Sequence, residues 1–129
     1  MPNIAHLQVD SRKPFSVQKL FTLVHGQKMK MSTRINDVWK LDKNSPALIG
    51  AGGNSVAPSA GFPCAGHQGC LVFERVNQGT VVQVGYWKTN DEVFHLGSGG
   101  SAEGDYRFQM NDDILSDNDG YIWLDLEDE

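Results

Sequence analysis

Nowhere in this chain of 129 residues do apolar residues run on for the roughly 20 positions that a membrane-crossing helix needs, so membrane insertion is not expected. Basic residues are few: 11 lysines and arginines stand against 16 acids, for a formal net charge of −5. A nucleic-acid binder normally presents a basic face that displaces phosphate counterions, and no such partner is expected. Cysteine occurs twice, as Cys64 and Cys70. With His67 between them they offer three ligands where a structural zinc site takes four, so free thiols or a small local disulfide are expected instead of a metal. A disulfide would suit an exported protein. The opening Met1-Pro2-Asn3-Ile4-Ala5-His6 has no basic stretch leading into an apolar one. The expectation is a cytoplasmic chain, or one released without a classical signal peptide. Catalytic motifs are missing too, with no Gly-x-Ser-x-Gly, phosphate loop or His-Glu-x-x-His. Asp112 and Asp113 are adjacent, and on a strand they would point to opposite faces instead of flanking a glycosidic bond. A non-enzymatic protein is expected.

What remains is a sequence of ordinary globular composition and of single-domain length, read as one domain over residues 1–129. Its dominant pattern has period two. In Gln27–Ile35, Met29, Met31, Thr33 and Ile35 alternate with Lys28, Lys30, Ser32 and Arg34, which buries one face of a strand and wets the other. Val17–Val24 precedes it across His25-Gly26, and the two read as a hairpin. Trp39 and Leu41 lie on a short strand. Leu71–Val76, Thr80–Trp87 and Glu92–Leu96 follow, with a turn at Asn77-Gln78-Gly79. Tyr106 to Met110 and Ile122 to Leu126 alternate in the same way. About eight short strands imply an all-β sandwich of jelly-roll type. Between them lie a long irregular segment, Lys43–Gly69, of the kind that is usually functional or disordered, and a flexible connection, Gly97–Gly104. Glu127-Asp128-Glu129 reads as a solvated tail. Trp39, Trp87 and Trp123 read as core or interface residues, and His6, His25 and His95 as surface or strand residues.

Charge is distributed unevenly. Eight of the eleven basic residues precede Asn44, and ten of the sixteen acids lie from Glu103 onward. The densest acidic stretch, Asn111-Asp112-Asp113-Ile114-Leu115-Ser116-Asp117-Asn118-Asp119-Gly120, holds four carboxylates, two carboxamides and a hydroxyl. Calcium takes six to eight oxygen ligands at about 2.3–2.6 Å, and a divalent ion would offset the repulsion among these acids. The spacing is not that of an EF-hand. Asp, Asn and Gly are also what hairpin turns use, so a polar turn and a cation site both stay open on composition alone.

The run Gly104-Asp105-Tyr106-Arg107-Phe108-Gln109-Met110-Asn111-Asp112, followed by Asp117-Asn118-Asp119-Gly120-Tyr121-Ile122-Trp123-Leu124, resembles the C-terminal half of the PA-IL-like bacterial lectins. Val9 to Trp39 resembles that family's opening strands. Gly50-Ala51-Gly52-Gly53-Asn54, Pro58, Gly61, Cys64 and Cys70-Leu71-Val72 are similar to its central loop and next strand. The resemblance implies a galactose-binding-like β-sandwich, a calcium ion, and recognition of a galactoside or other glycan through two vicinal hydroxyls. It implies Asp112, Asp117 and Asn118 as calcium ligands, with a backbone carbonyl around Leu41–Asp42, and Ser116 as the candidate for the family's threonine. Sugar contacts would come from Asp112 and Asp117. The loop is about two residues shorter than the family pattern, and the family's His and Gln sugar contacts fall on Ala57 and Ala60. His67 and Gln68, with Pro58 from the same loop, are the candidates to replace them if the central loop folds over the site. A shallow monosaccharide site binds weakly, so a homo-oligomer is expected to raise avidity. The contrasting expectation is a structural or adaptor module of a bacterial or viral assembly, with the acidic loop serving as a turn. A less favoured third is an accessory domain of a hydrolase.

Overall fold

The alternation of Ile122, Leu124 and Leu126 against Tyr121, Trp123 and Asp125 builds the longest strand of the molecule, and most of one sheet assembles on it. The computed structural model describes residues 4–97 and 102–129. Among these residues there are nine strands: β1 (Ile4–Asp10), β2 (Lys19–Leu23), β3 (Met29–Thr33), β4 (Trp39–Lys40), β5 (Leu71–Asn77), β6 (Thr80–Tyr86), β7 (Val93–Leu96), β8 (Gly104–Met110) and β9 (Asp119–Asp128). One sheet runs β1-β9-β3-β7, with β4 also paired to β9, and the other runs β2-β8-β5-β6. Every pairing is antiparallel. The all-β sandwich expected from the alternation is the observed fold.

The inward residues of both sheets meet in one core. Val9, Met31, Leu96, Ile122, Leu124 and Leu126 come from the first sheet, and Leu23, Leu71, Phe73, Tyr106, Phe108 and Met110 from the second. Burying each large apolar side chain contributes about 1.5–3 kcal/mol. Phe73 stands at the centre of an aromatic cluster, edge-on to Trp87 (centroids 6.1 Å apart) and to Phe94 (5.3 Å). Its ring lies so close to β6 that a Cβ on Gly85 would collide with it. Trp39 and Trp87 are core residues as expected, while Trp123 is half-buried beneath the Arg34 guanidinium, 5.3 Å from its ring centroid.

Four expectations are corrected. Val17–Val24 and Gln27–Ile35 do not pair as a hairpin. The turn at His25-Gly26 exists, with Gly26 at φ 84° and Gln27 N–H donating to Val24 O, but it carries the chain from one sheet to the other. Leu23 and Met31 both face the core from opposite sides, which a two-stranded hairpin would not permit. Secondly, β3 ends at Thr33, and Ile35, expected inward, is exposed. Thirdly, Ile4–Asp10, assigned no strand from the sequence, forms β1, in which Ala5, Leu7 and Val9 alternate with His6, Gln8 and Asp10. Fourthly, Glu127-Asp128-Glu129 is not a solvated tail. Glu127 pairs with Ile4 and Lys30, Asp128 pairs with Met29, and Glu129 N–H donates to Lys28 O. Charge at these positions masked a strand that is held by its backbone. Ser98–Ser101, within the connection expected at Gly97–Gly104, and Met1-Pro2-Asn3 lie outside the described residues.

Deleting Glu127-Asp128-Glu129 is expected to lower unfolding stability by about 1–3 kcal/mol, since several ladder hydrogen bonds are lost together. Urea denaturation of the truncated chain checks this. Unchanged stability would restore the solvated tail.

Candidate functional site

Strand register decides which loops meet. Leu71 opposite Met110 and Lys40 opposite Asp119 bring the start of β5, the end of β8, the end of β4 and the start of β9 to one end of the sandwich. The central loop and the acidic loop therefore emerge side by side. Asn111 joins them. Its side chain is fully buried, donating to Gly66 O (2.7 Å) and His67 O (3.1 Å) and accepting from Cys64 N–H (3.2 Å). Its backbone exchanges bonds with Cys70 O (2.7 Å) and Gly69 N–H (2.8 Å). All the bonding capacity of that carboxamide except one lone pair is spent on holding the loop, so Asn111 is a clamp. Further along, Gly61 leaves room for the Asp113 side chain, which would lie 3.5 Å from any Cβ placed there.

The next residues form an oxygen-rich recess. Asp112 is 8% exposed. Burial raises its carboxyl above the usual carboxylate range; the Ile114 and Asp113 N–H groups and the Asn118 carboxamide oppose this, while a hydrogen bond with the Asp113 carboxyl reinforces it. Both acids lie past the end of β8, so the strand geometry expected to turn Asp112 and Asp113 to opposite faces does not apply to them. Asn118 is buried and donates to Ser11 O at 2.9 Å. Ser11 in turn is bonded to Gly120 O through its hydroxyl (2.8 Å) and its N–H (3.1 Å), which fixes this side of the recess to the end of β1. The Oδ1 atoms of Asp117 and Asn118 are both buried without a hydrogen-bond partner. Buried acceptors are normally satisfied, and leaving one bare costs about 1–3 kcal/mol. Two on consecutive residues, beside a buried carboxyl, suit a hard cation held by oxygen. Among the described residues no three His, Cys, Asp or Glu side chains gather as a metal group.

Asp42 lies next to this recess. Lys43 N–H donates to Asp117 O at 2.6 Å, docking the turn after β4 onto the acidic loop. The Asp42 carbonyl accepts from Ser45 N–H (2.9 Å) and its carboxylate from Asn44 N–H (2.8 Å). A pocket of about 360 Å³ opens here, lined by Leu41, Asp42, Ser45, Ala47, Ile49 and Asn54. Its apolar floor and polar rim were not foreseen. The only cue was the turn-forming Lys43-Asn44-Ser45-Pro46 directly after the Trp39 strand.

The other candidates are dispersed. Ser116 is exposed at the tip of the acidic loop. Pro58 is half-buried in the central loop. Gln68 is tied down by its own loop, donating from its side chain to Ala57 O (3.1 Å) and from its backbone to Val56 O (2.9 Å). His67 is exposed and lines a separate pocket of about 270 Å³ with Ala65, Gly66, Tyr86 and Lys88. The structure thus sets Asn118 against Asp112 and docks the turn after Asp42 onto Asp117, while His67 lines a different pocket. Comparison with protein-family models and with curated proteins finds no match.

The buried Asp112 carboxyl makes a pH prediction for the metal-free protein. Its raised folded pKa means that the folded state holds more protons than the unfolded one from the ordinary value of 3.8 up to that raised value. Stability falls as pH rises through this window. In chelator, Asp112→Asn should be more stable than the parent chain at pH 7, and the gain should vanish below pH 3.8. Urea unfolding at the two pH values checks it; an Asn variant that is less stable at pH 7 contradicts it.

Proposed function

We propose that the chain is a calcium-dependent carbohydrate-binding domain on a galactose-binding-like sandwich. The observation that carries this reading is the pair of buried, unpartnered oxygens on Asp117 and Asn118, beside the buried Asp112 carboxyl. These residues would hold the ion, with the carbonyls of the Leu41–Asp42 turn at its flank and Ser116 within the same loop. When bound, calcium would supply open coordination positions to two adjacent hydroxyls of a sugar, so that only ring stereochemistries presenting both at once are accepted. The pocket over Leu41, Ala47 and Ile49 offers an apolar floor to the ring, and Asp42, Ser45 and Asn54 offer polar partners at its edge. The carboxamide of Gln68 is already engaged and His67 opens elsewhere, so the sugar contacts of this reading fall on Asp112, Asp117 and the Asp42 rim.

The proposed role is binding. The acidic surface, at −5 overall, supports a neutral glycan as partner over a nucleic acid. Homo-oligomerisation belongs to the same reading. Edge strand β6 carries no charged residue and exposes Val81, Val82 and Val84, the kind of edge that monomeric proteins usually protect.

A glycan array probed in calcium and again in chelator tests the proposal. Binding to a set of glycans sharing one vicinal-diol arrangement is expected, falling at least about tenfold on chelation. Calcium at about 100 times its Kd should add roughly 2.7 kcal/mol of stability, and Asp112→Ala should abolish both effects. Calcium stabilisation with a blank array would make the ion structural and favour an adaptor module. Sugar binding retained in Asp112→Ala would place the site elsewhere.

A further inference from the structure

Both cysteines are free thiols, and their sulfurs both border Gly66. Cys64 is half-buried on the central loop, and Cys70 is fully buried at the foot of β5. The six-residue step between them is folded so that both sulfurs lie beside Gly66. Cys70 N–H donates to His67 O (3.2 Å), and Asn111 grips the same turn at Cys64, Gly66 and His67. Gly66 creates the space: a Cβ there would stand 2.8 Å from Cys70 Sγ and 2.6 Å from the Tyr86 ring. Gly66 N–H also donates to Cys64 Sγ at 3.3 Å. The two thiols thus differ in role, one half-buried with the Gly66 N–H aimed at its sulfur, the other enclosed.

We propose that Cys64 and Cys70 form a reversible redox modification site, with Cys64 the attacking thiol and Cys70 the resolving one, whose co-reactant is a small-molecule disulfide of the glutathione class. The Cys70 thiol and the Gly66 N–H hold Cys64 down to about 7 against the opposing effect of burial, while the bond to Cys64 and burial push Cys70 up. Near neutral pH a large share of Cys64 is therefore the nucleophilic thiolate. In the first step that thiolate attacks one sulfur of the disulfide. The new Cys64–glutathione bond forms, the old sulfur–sulfur bond breaks, and one glutathione leaves as thiolate. Neutralising Cys64 removes the interaction that had raised Cys70. Cys70 then gives its proton to solvent or to the leaving thiolate and attacks Cys64 Sγ, expelling the second glutathione. Overall, two protein thiols are oxidised to one intramolecular disulfide and one disulfide is reduced to two thiols. The bridge closes the loop around Asn111 and makes permanent a turn that is otherwise held by hydrogen bonds.

The test incubates the full chain with graded ratios of oxidised to reduced glutathione, followed by acid quench, alkylation and mass analysis. The parent chain should lose two hydrogen masses, form the bridge within one chain, and regain both thiols in excess reductant. Cys70→Ser should stop at one glutathione on Cys64, and Cys64→Ser should leave Cys70 unmodified. Independently of any variant's folding, Cys64 in the reduced parent chain should alkylate at least about tenfold faster than Cys70 at pH 7. Thiols that stay reduced in oxidised glutathione, bridges formed only between chains, or faster modification of Cys70 would each overturn the proposal.

Discussion

One buried carboxamide, that of Asn111, sets the functional end of this sandwich. The long connection between Lys40 and Leu71, without regular strand, would ordinarily wander, since ordering each residue costs about 1–2 kcal/mol. Here the last part of that connection is bonded to Asn111 through Cys64, Gly66 and His67, while the Asn111 backbone is bonded to Gly69 and Cys70. Because Asn111 directly follows β8, the loop is pinned to the end of an interior strand of the sheet. The acidic residues that come next inherit that anchor. Asp112 is buried against the clamp, and Asn118 is drawn down by Ser11 from the end of β1. The recess with its bare oxygens, the docked Asp42 turn and the apposed thiols all follow from these few bonds.

The recess carries a cost in the protein as it stands. A buried carboxyl with a raised pKa, a second carboxyl bonded to it and two acceptors without donors are unfavourable neighbours. Nothing in the sandwich needs them for packing, since the core is complete beneath them with Leu71, Phe108 and Met110 fully buried. Local cost without a packing gain is the mark of a site shaped for something else. The proposed oxygen-bound cation would offset these costs together.

Most strands were legible because their burial is one-sided. Met31, Phe108, Leu124 and their alternating neighbours show it directly, and β5, β6 and β8 lie within a residue or two of where the alternation puts them. Pairing was less legible. His25-Gly26 has the chemistry of a tight turn whether it joins neighbours in one sheet or crosses to the other, and only the opposed core positions of Leu23 and Met31 distinguish the two. The end of β9 was hidden by its acids, which face solvent while the backbone carries the ladder. At the site, composition marked Asp112, Asp117 and Asn118 as oxygen donors, and the fold gathers them. His67 and Gln68 adjoin the acidic loop through Asn111, but their side chains are aimed by a turn whose geometry depends on Gly66 and Gly69, which no local pattern conveys.

The account rests on the Asp117 and Asn118 oxygens being a cation site, and calorimetric titration of calcium into chelator-stripped protein tests that most directly. It predicts one saturable site per chain, lost when Asn118 is replaced by Leu while the circular dichroism of the sandwich is retained. Absence of saturable binding at millimolar calcium in the parent chain, or undiminished binding in Asn118→Leu, would contradict it.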